Sequence, residues 1–252
     1  MAAPHREPVV REVYFYATCL VDLFFPDAGM AGIDLLQAAG VRVILPRGQT
    51  CCGQPAFNCG YWEQARTVAL SQVALFPRDL PVVLPSGSCA GMMKTQYPEL
   101  FHGRPEEAAV KALAGRVFEL TQFLVDQLDL KLEDLGQPVK VTLHSSCHAQ
   151  REQGVLDQPK ALLRQLRNVE LVELEREREC CGFGGAFSVR EPGLAAAMAC
   201  DKAEDARRTG AELVLSTDGG CLMNIGGTLD RLGPGPATRH IAQFLWERTH
   251  VR

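Results

Sequence analysis

Two pairs of adjacent cysteines, Cys51-Cys52 and Cys180-Cys181, are each followed by a glycine, and each pair has outlying cysteines at matching distances. Cys19 lies 32 positions before Cys51 and Cys147 lies 33 before Cys180, while Cys89 and Cys221 follow Cys52 and Cys181 at 37 and 40 positions. Eight of the ten cysteines therefore fall into two sets of four. Inert core cysteines behave as small hydrophobes and have no reason to pair at turns. Four thiols in one place can hold an iron–sulfur cluster or a zinc ion, and a vicinal pair can work as a dithiol. The dithiol reading leaves Cys19, Cys89, Cys147 and Cys221 without a task. On count alone, four cysteines per set suit a [4Fe–4S] cluster or a tetrahedral zinc site equally well.

The bulk composition supports metal or redox chemistry over a disulfide framework. The chain has 252 residues, 46% hydrophobic and 22% charged, enough for one large domain or two smaller ones. A formal charge of −4 gives no basic field for nucleic acid or an anionic membrane. Residues 1–8 carry no apolar signal region, and no run approaches the roughly 18 apolar residues of a membrane helix, so the expected location is the cytoplasm. Cytosolic thiols are kept reduced, and a regular cysteine pattern there points to a metal or redox site.

The elements around the cysteines repeat as well. A β-prone run at 12–17 ends at Thr18-Cys19, apolar residues at 28–39 recur at helical spacing, and Gly40 closes that helix. A strand at 41–46 delivers Cys51, a helix at 61–75 follows, and a strand at 82–85 leads into Ser86-Gly87-Ser88-Cys89, read as a loop. The second half gives a strand at 140–144 before Cys147, a helix at 159–167, a strand at 170–174 before Cys180, a helix at 194–208, and a strand at 212–216 before Cys221. Thr121-Gln122-Phe123-Leu124 near the end of the first half matches Ala242-Gln243-Phe244-Leu245 in the second. This is an internal duplication with a period of about 128 residues. The expected domains are 1–135 and 136–252, with the charged segment 131–138 as the seam. The expected fold is α/β: two repeated Rossmann-like halves with parallel sheets and the cysteine clusters at the carboxyl ends of the strands. Adjacent side chains on a strand point to opposite faces, so a Cys-Cys pair serves one centre only from a loop, which Gly53 and Gly182 permit.

The motifs Cys51-Cys52-Gly53-Gln54-Pro55, Ser86-Gly87-Ser88-Cys89-Ala90, Cys180-Cys181-Gly182-Phe183-Gly184-Gly185-Ala186-Phe187-Ser188 and Cys221-Leu222-Met223-Asn224-Ile225 resemble those of a known family. It is the duplicated cysteine-rich CCG-domain family, found in heterodisulfide reductases and in glycolate oxidase iron–sulfur subunits. The motifs look closest to the short two-repeat branch called lactate utilization protein A, and the likeness spans about 13–247. The resemblance implies a cytoplasmic, non-autonomous iron–sulfur subunit of a three-protein system that oxidises L-lactate to pyruvate, with other iron–sulfur proteins as partners. It implies cofactor binding by Cys19, Cys51, Cys52 and Cys89 and by Cys147, Cys180, Cys181 and Cys221, as one or two clusters, with zinc as the alternative at one site. In the heterodisulfide reductase branch each set ends in Cys-x-x-Cys. Here Met92 and Asn224 stand at those positions, which counts against five-ligand chemistry and a disulfide reductase role. A zinc-stabilised structural or assembly subunit is a further alternative.

Other residues are weaker signals. His144 and His148 flank Cys147, and Cys59 and Cys200 have no counterpart in the opposite repeat and read as packing residues. Gly182-Phe183-Gly184-Gly185 does not fit a dinucleotide fingerprint, and no flavin, nicotinamide or haem motif is visible. No catalytic residue is identified, and a hydride acceptor for lactate is expected on another protein.

Overall fold

The inner strands of this protein are buried on both faces, as parallel strands covered by helices must be. The computed structural model describes residues 10–250, and the stretch 1–8 that lacks an apolar region lies outside them. The first half contains β1 (Glu12–Phe15), α1 (Cys19–Phe24), α2 (Pro26–Ala38), β2 (Arg42–Ile44), α3 (Gln54–Asn58), α4 (Trp62–Val73), β3 (Val82–Leu84) and α5 (Gly87–Gly91). A π-helical turn, Met92–Gln96, carries α5 into α6 (Tyr97–Leu100), followed by α7 (Glu107–Ala114) and β4 (Val117–Glu119). α8 (Leu120–Gln122) then continues through a second π-helical turn, Phe123–Gln127. The second half contains β5 (Val139–His144), α9 (Cys147–Gln153), α10 (Asp157–Arg164), β6 (Val169–Leu171), α11 (Ala186–Arg190), α12 (Pro192–Arg208), β7 (Leu213–Ser216), α13 (Gly219–Leu232), β8 (Ala237–His240) and α14 (Ile241–Thr249).

The strands form two four-stranded, all-parallel sheets of the same topology, β2-β1-β3-β4 and β6-β5-β7-β8. The duplicated α/β architecture expected from the sequence is present. Two edge strands, β4 and β8, give no signal in the sequence. The Ser86–Cys89 segment, expected as a loop, instead starts a helix: Ser86 is its N-cap, and its hydroxyl accepts from the Cys89 N–H. Gly and Ser are poor helix formers, and the cap together with burial of Gly87, Cys89, Ala90 and Gly91 outweighs that preference.

The two-residue period of the strands sorts side chains between layers. Val13, Phe15, Val83, Val141, Leu143 and Leu215 face one shared cluster, whereas Tyr14, Tyr16, Val82, Leu84 and, in the second sheet, Val214 face outward ones. The shared cluster also takes Leu35 and Leu36 from α2, Leu120, Phe123 and Leu124 around α8, Leu162 and Leu163 from α10, and Phe244 and Leu245 from α14. α2 packs on α14, and α8 packs on α10. These helices form a middle layer that belongs to both sheets, with each half's last helix laid on the other half's helix. Each fully buried Leu or Phe there contributes roughly 1.5–3 kcal/mol. Among the described residues no helix is long and apolar enough to cross a membrane.

The connecting segment is fastened rather than loose. Arg248 of α14 makes a two-pronged pair with the buried Asp134 carboxylate, Nε and Nη2 each donating at 2.8 Å, while Asp134 also accepts from the Asn168 and Gly136 amides.

A second buried carboxyl, Glu119, caps α8 by accepting from Thr121 N and Gln122 N, at 2.8 and 3.1 Å. Complete burial pushes its pKa up to about 7, against the pull of those donors, with Asp218 adding a further push upward. The folded protein therefore holds a proton here that the unfolded chain releases near pH 4.5. The contribution of Glu119 to stability is most favourable below that value and is lost as pH rises through 7, by an amount of the order of 3 kcal/mol. Glu119→Gln removes this dependence, so urea titrations should show the variant gaining on the parent between pH 5 and pH 8. A constant difference across that range would show that Glu119 is ionised throughout.

Candidate metal centre

Every strand that precedes an outlying cysteine ends at the same rim of the molecule. Cys19 opens α1 after β1, and Cys147 opens α9 after β5. Cys89 and Cys221 lie in the first turns of α5 and α13, after β3 and β7. Cys51-Cys52 and Cys180-Cys181 sit in the loops before α3 and α11. Parallel strands place their loops and helix N-termini together at the carboxyl edge. The helix N–H groups there favour negative charge.

All eight cysteines border a single cleft of about 190 Å³. The sequence suggested two centres without indicating their proximity, and it is the packing of the two halves that brings them to one cleft. α5 packs on α9 and α1 packs on α13. Small residues allow this: a Cβ on Gly87 would lie 2.7 Å from Ala149 Cβ, and one on Gly219 would lie 3.0 Å from the Phe25 ring. Asp218 caps α13 and accepts from Ser88 N of the other half at 2.7 Å. His240 Nδ1 accepts from Ala242 N, so Nε2 carries the proton and donates to Pro85 O at 3.0 Å across the same divide.

Within each set the thiols contact one another in a chain: Cys19 with Cys51, Cys51 with Cys52 and Cys52 with Cys89, then Cys147 with Cys180, Cys180 with Cys181 and Cys181 with Cys221. Cys147 Sγ and Cys180 Sγ are 3.9 Å apart. Cys51 and Cys180 are pulled far below the ordinary thiol range, first by the thiols of Cys19 and Cys147, then by those of Cys52 and Cys181, with the Gly53 and Gly182 amides also donating. The Gly53 and Gly182 amides, donating to one sulfur of each pair, favour the thiolate at Cys51 and Cys180. Cys52 and Cys181 are pushed up, first by the hydrogen bonds to Cys51 and Cys180, then by those to Cys89 and Cys221, and then by burial.

The vicinal pairs are shaped by their glycines. Gly53 and Gly182 have φ of +87° and +82° and donate to the Cys51 and Cys180 sulfurs at 3.4 and 3.3 Å. A Cβ on Gly182 would stand 2.6 Å from Ala195 O and 2.9 Å from Met198 Cβ, whereas one on Gly53 would be 3.3 Å from Ala65 O. Gly182→Ala combines backbone strain with overpacking and should cost about 3 kcal/mol, while Gly53→Ala, carrying mainly the strain, should cost about 1–2 kcal/mol. Urea unfolding of the two variants checks the order, and equal costs would refute the packing argument.

Behind the sulfurs the halves differ. Tyr16 and His144 both stand three residues before the leading cysteine, and both are fully buried. Tyr16 donates to Thr50 O at 2.6 Å. His144 has no hydrogen-bond partner at either nitrogen, and burial holds it neutral with a pKa brought down to about 3. One nitrogen and the sulfurs of Cys181 and Cys221 lie within 4.8 Å of one another. His148 borders the cleft and pairs with Glu152 at 2.7 Å, a contact that raises its pKa.

Met92 is fully buried in the outer cluster of the first half, and the Asn224 amide donates to Cys181 O at 2.7 Å. Neither position offers a fifth thiolate. Cys59 and Cys200 are half-buried and do not border the cleft. Asp218, Tyr16 and the buried Lys202 were missed by sequence reasoning. Aligning the repeats on their cysteines brings out Tyr16 opposite His144, but nothing in sequence marks Asp218 as a bridge between halves.

The donor set fits a thiolate-bound metal group: two closed groups of sulfurs, amide donors aimed at two of them, and a buried imidazole whose nitrogens have no protein partner.

The cysteine-rich domain family CCG matches residues 13–94 and again 141–226. Lactate utilization protein A of Geobacillus kaustophilus (strain HTA426) is 44% identical over 93% of this chain and 98% of its own length. The proteins of that name from Shouchella clausii (strain KSM-K16) and Bacillus subtilis (strain 168) are 44% and 42% identical, over 92% and 94% of this chain and 98% and 100% of their own. Among solved structures, an aspartate racemase homologue from Pyrococcus horikoshii OT3 aligns over 94% of this chain and 95% of its own at 10% identity, with a TM-score of 0.33, too slight a likeness to bear on fold or function.

Proposed function

Because this chain belongs to the lactate utilization protein A family of duplicated cysteine-rich CCG-domain proteins, we propose that it serves lactate utilization as a cytoplasmic iron–sulfur electron-transfer subunit. Cys19, Cys51, Cys52 and Cys89 hold one centre and Cys147, Cys180, Cys181 and Cys221 hold the other, each of the [4Fe–4S] type. The observation that supports this reading is the convergence of all eight cysteines on one cleft between the halves.

Bound there, such centres supply reversible one-electron transfer. The chain's own residues do the rest. The Gly53 and Gly182 amides orient the Cys51 and Cys180 sulfurs, and Tyr97 and Asn224 fix the Cys52 and Cys181 carbonyls at 2.8 and 2.7 Å. Leu20, Pro55 and Phe183 give the cleft an apolar lining that limits water at the sulfurs. A low-dielectric shell of this kind tunes the potential of a cluster.

Oxidising lactate to pyruvate releases two electrons and two protons, and a one-electron centre accepts no hydride. The subunit therefore acts with partner proteins that carry the hydride chemistry. The test is anaerobic purification with iron and acid-labile sulfide analysis, then lactate–dye reduction by the chain alone and with the proteins it assembles with. Iron and sulfide should be present, and turnover should appear only in the assembly. Zinc without sulfide would support the structural-subunit alternative, and robust turnover by the chain alone would overturn the electron-transfer role.

A further inference from the structure

The two cysteine sets rest on equivalent scaffold positions that carry different chemistry. Gly53 packs on Ala65 O and Gly182 packs on Ala195 O, which puts the helices α4 and α12 in register. Seven residues further along each helix, Gln72 in the first half corresponds to Lys202 in the second, and both are 1% exposed. Tyr16 corresponds to His144 in the same way, by its spacing from the leading cysteine.

In the first half these positions make a closed, neutral network around Thr50, the residue before Cys51. Tyr16 donates to Thr50 O, and the Gln72 side chain accepts from Thr50 N at 3.2 Å and donates to Thr50 Oγ1 at 2.8 Å. In the second half the Lys202 ammonium is turned to Arg176 O, and His144 is left without a partner. An unpaired polar group in a dry interior is destabilising. What His144 does have nearby is the Cys181 and Cys221 sulfur pair, inside the same 4.8 Å span and equally buried. Neutral imidazole is a ligand for iron as well as zinc, and histidine replaces cysteine in some iron–sulfur centres.

We propose that His144 is a fifth, nitrogen ligand of the second centre, which thereby departs from the plain four-thiolate [4Fe–4S] arrangement of the first and has His144, Cys181 and Cys221 as its buried face. This rests on the reading that the second set holds an iron–sulfur centre. The first half has no equivalent, because the phenol at that place is committed to Thr50. The two centres are thus chemically distinct in their ligands, and an imidazole with a buried ammonium nearby makes the second the more readily reduced.

The experiment uses the full chain, purified anaerobically and reduced, with and without 15N-histidine, and reads nitrogen hyperfine coupling in the cluster electron paramagnetic resonance signal. A strong coupling that changes with the isotope is expected. It should survive His148→Gln and be lost in His144→Tyr, which installs the residue of the first half. If His144→Tyr fails to fold, the wild-type and His148→Gln spectra still decide the matter. A cluster signal insensitive to 15N-histidine, or a coupling that persists in His144→Tyr or vanishes in His148→Gln, overturns the assignment. Iron and sulfide measured on the same samples keep the outcomes apart: their absence would sink the iron–sulfur reading itself, whereas their presence with no histidine coupling sinks only the role of His144.

Discussion

Replacing Cys180 and Cys181 together by serine should halve the metal bound per chain and leave the first set loaded. Each set closes on its own thiols, so losing two ligands from one leaves the internal contacts of Cys19, Cys51, Cys52 and Cys89 untouched. Serine fits the space but stays protonated near neutral pH, where the thiolate is the ligating form. Cys180 accepts from Cys147 and from the Gly182 amide, so its loss should be felt more than that of an outlying cysteine. Iron and sulfide per folded chain provide the measurement. Loss of all metal from a protein that remains folded would show that the eight cysteines share one centre across the cleft. That is a real alternative, because a single cleft serves both sets.

Arg248→Ala should destabilise the protein by about 3–5 kcal/mol, the range for removing one partner of a buried pair. The guanidinium side chain is 10% exposed and the Asp134 side chain not at all, so the substitution leaves an uncompensated carboxylate in the interior. Arg248 also donates to Gln137 O at 2.5 Å, and its own carbonyl accepts from Leu135 N. In a chain of this length each kcal/mol moves the melting temperature by about 2–4 °C, so a fall of about 10 °C is expected. Arg248→Lys should recover little, since an ammonium cannot reproduce the two-pronged geometry. Asp134→Leu combined with Arg248→Met should recover much of the loss, because no charge is then left buried. A cost below about 1 kcal/mol for Arg248→Ala would mean that the pair behaves as a surface ion pair.

How far the sequence carries depends on whether a feature is local. The Cys-Cys-Gly loops and the strands before Cys19, Cys89, Cys147 and Cys221 are local, and period and turn residues revealed them. β4 and β8 were invisible because Val117–Glu119 is too short to show a period and Ala237–His240 is not apolar. Both gain their conformation from pairing at a sheet edge. The helix after Ser86 was hidden by its Gly and Ser content and is imposed by packing against α9. The meeting of both cysteine sets at one cleft is tertiary from the start, for no spacing within a repeat specifies how two repeats dock. His144 was noticed for its place beside Cys147, but its want of any hydrogen-bond partner exists only in the folded chain.

The middle layer has a consequence for how the protein is made. While the first half is emerging from the ribosome, the inner face of its sheet, Val13 and Phe15 included, has only α2 and α8 to cover it, and α14 follows every other described element in the chain. The nascent chain therefore keeps a wet apolar surface until α14 has been made, and the closing contacts join residues more than two hundred positions apart, a slow kind of search. The cleft that all eight cysteines border takes its full shape only when both halves are docked. Limited proteolysis of arrested nascent chains would read that order directly, with protection of the first half appearing only once α14 has cleared the exit tunnel.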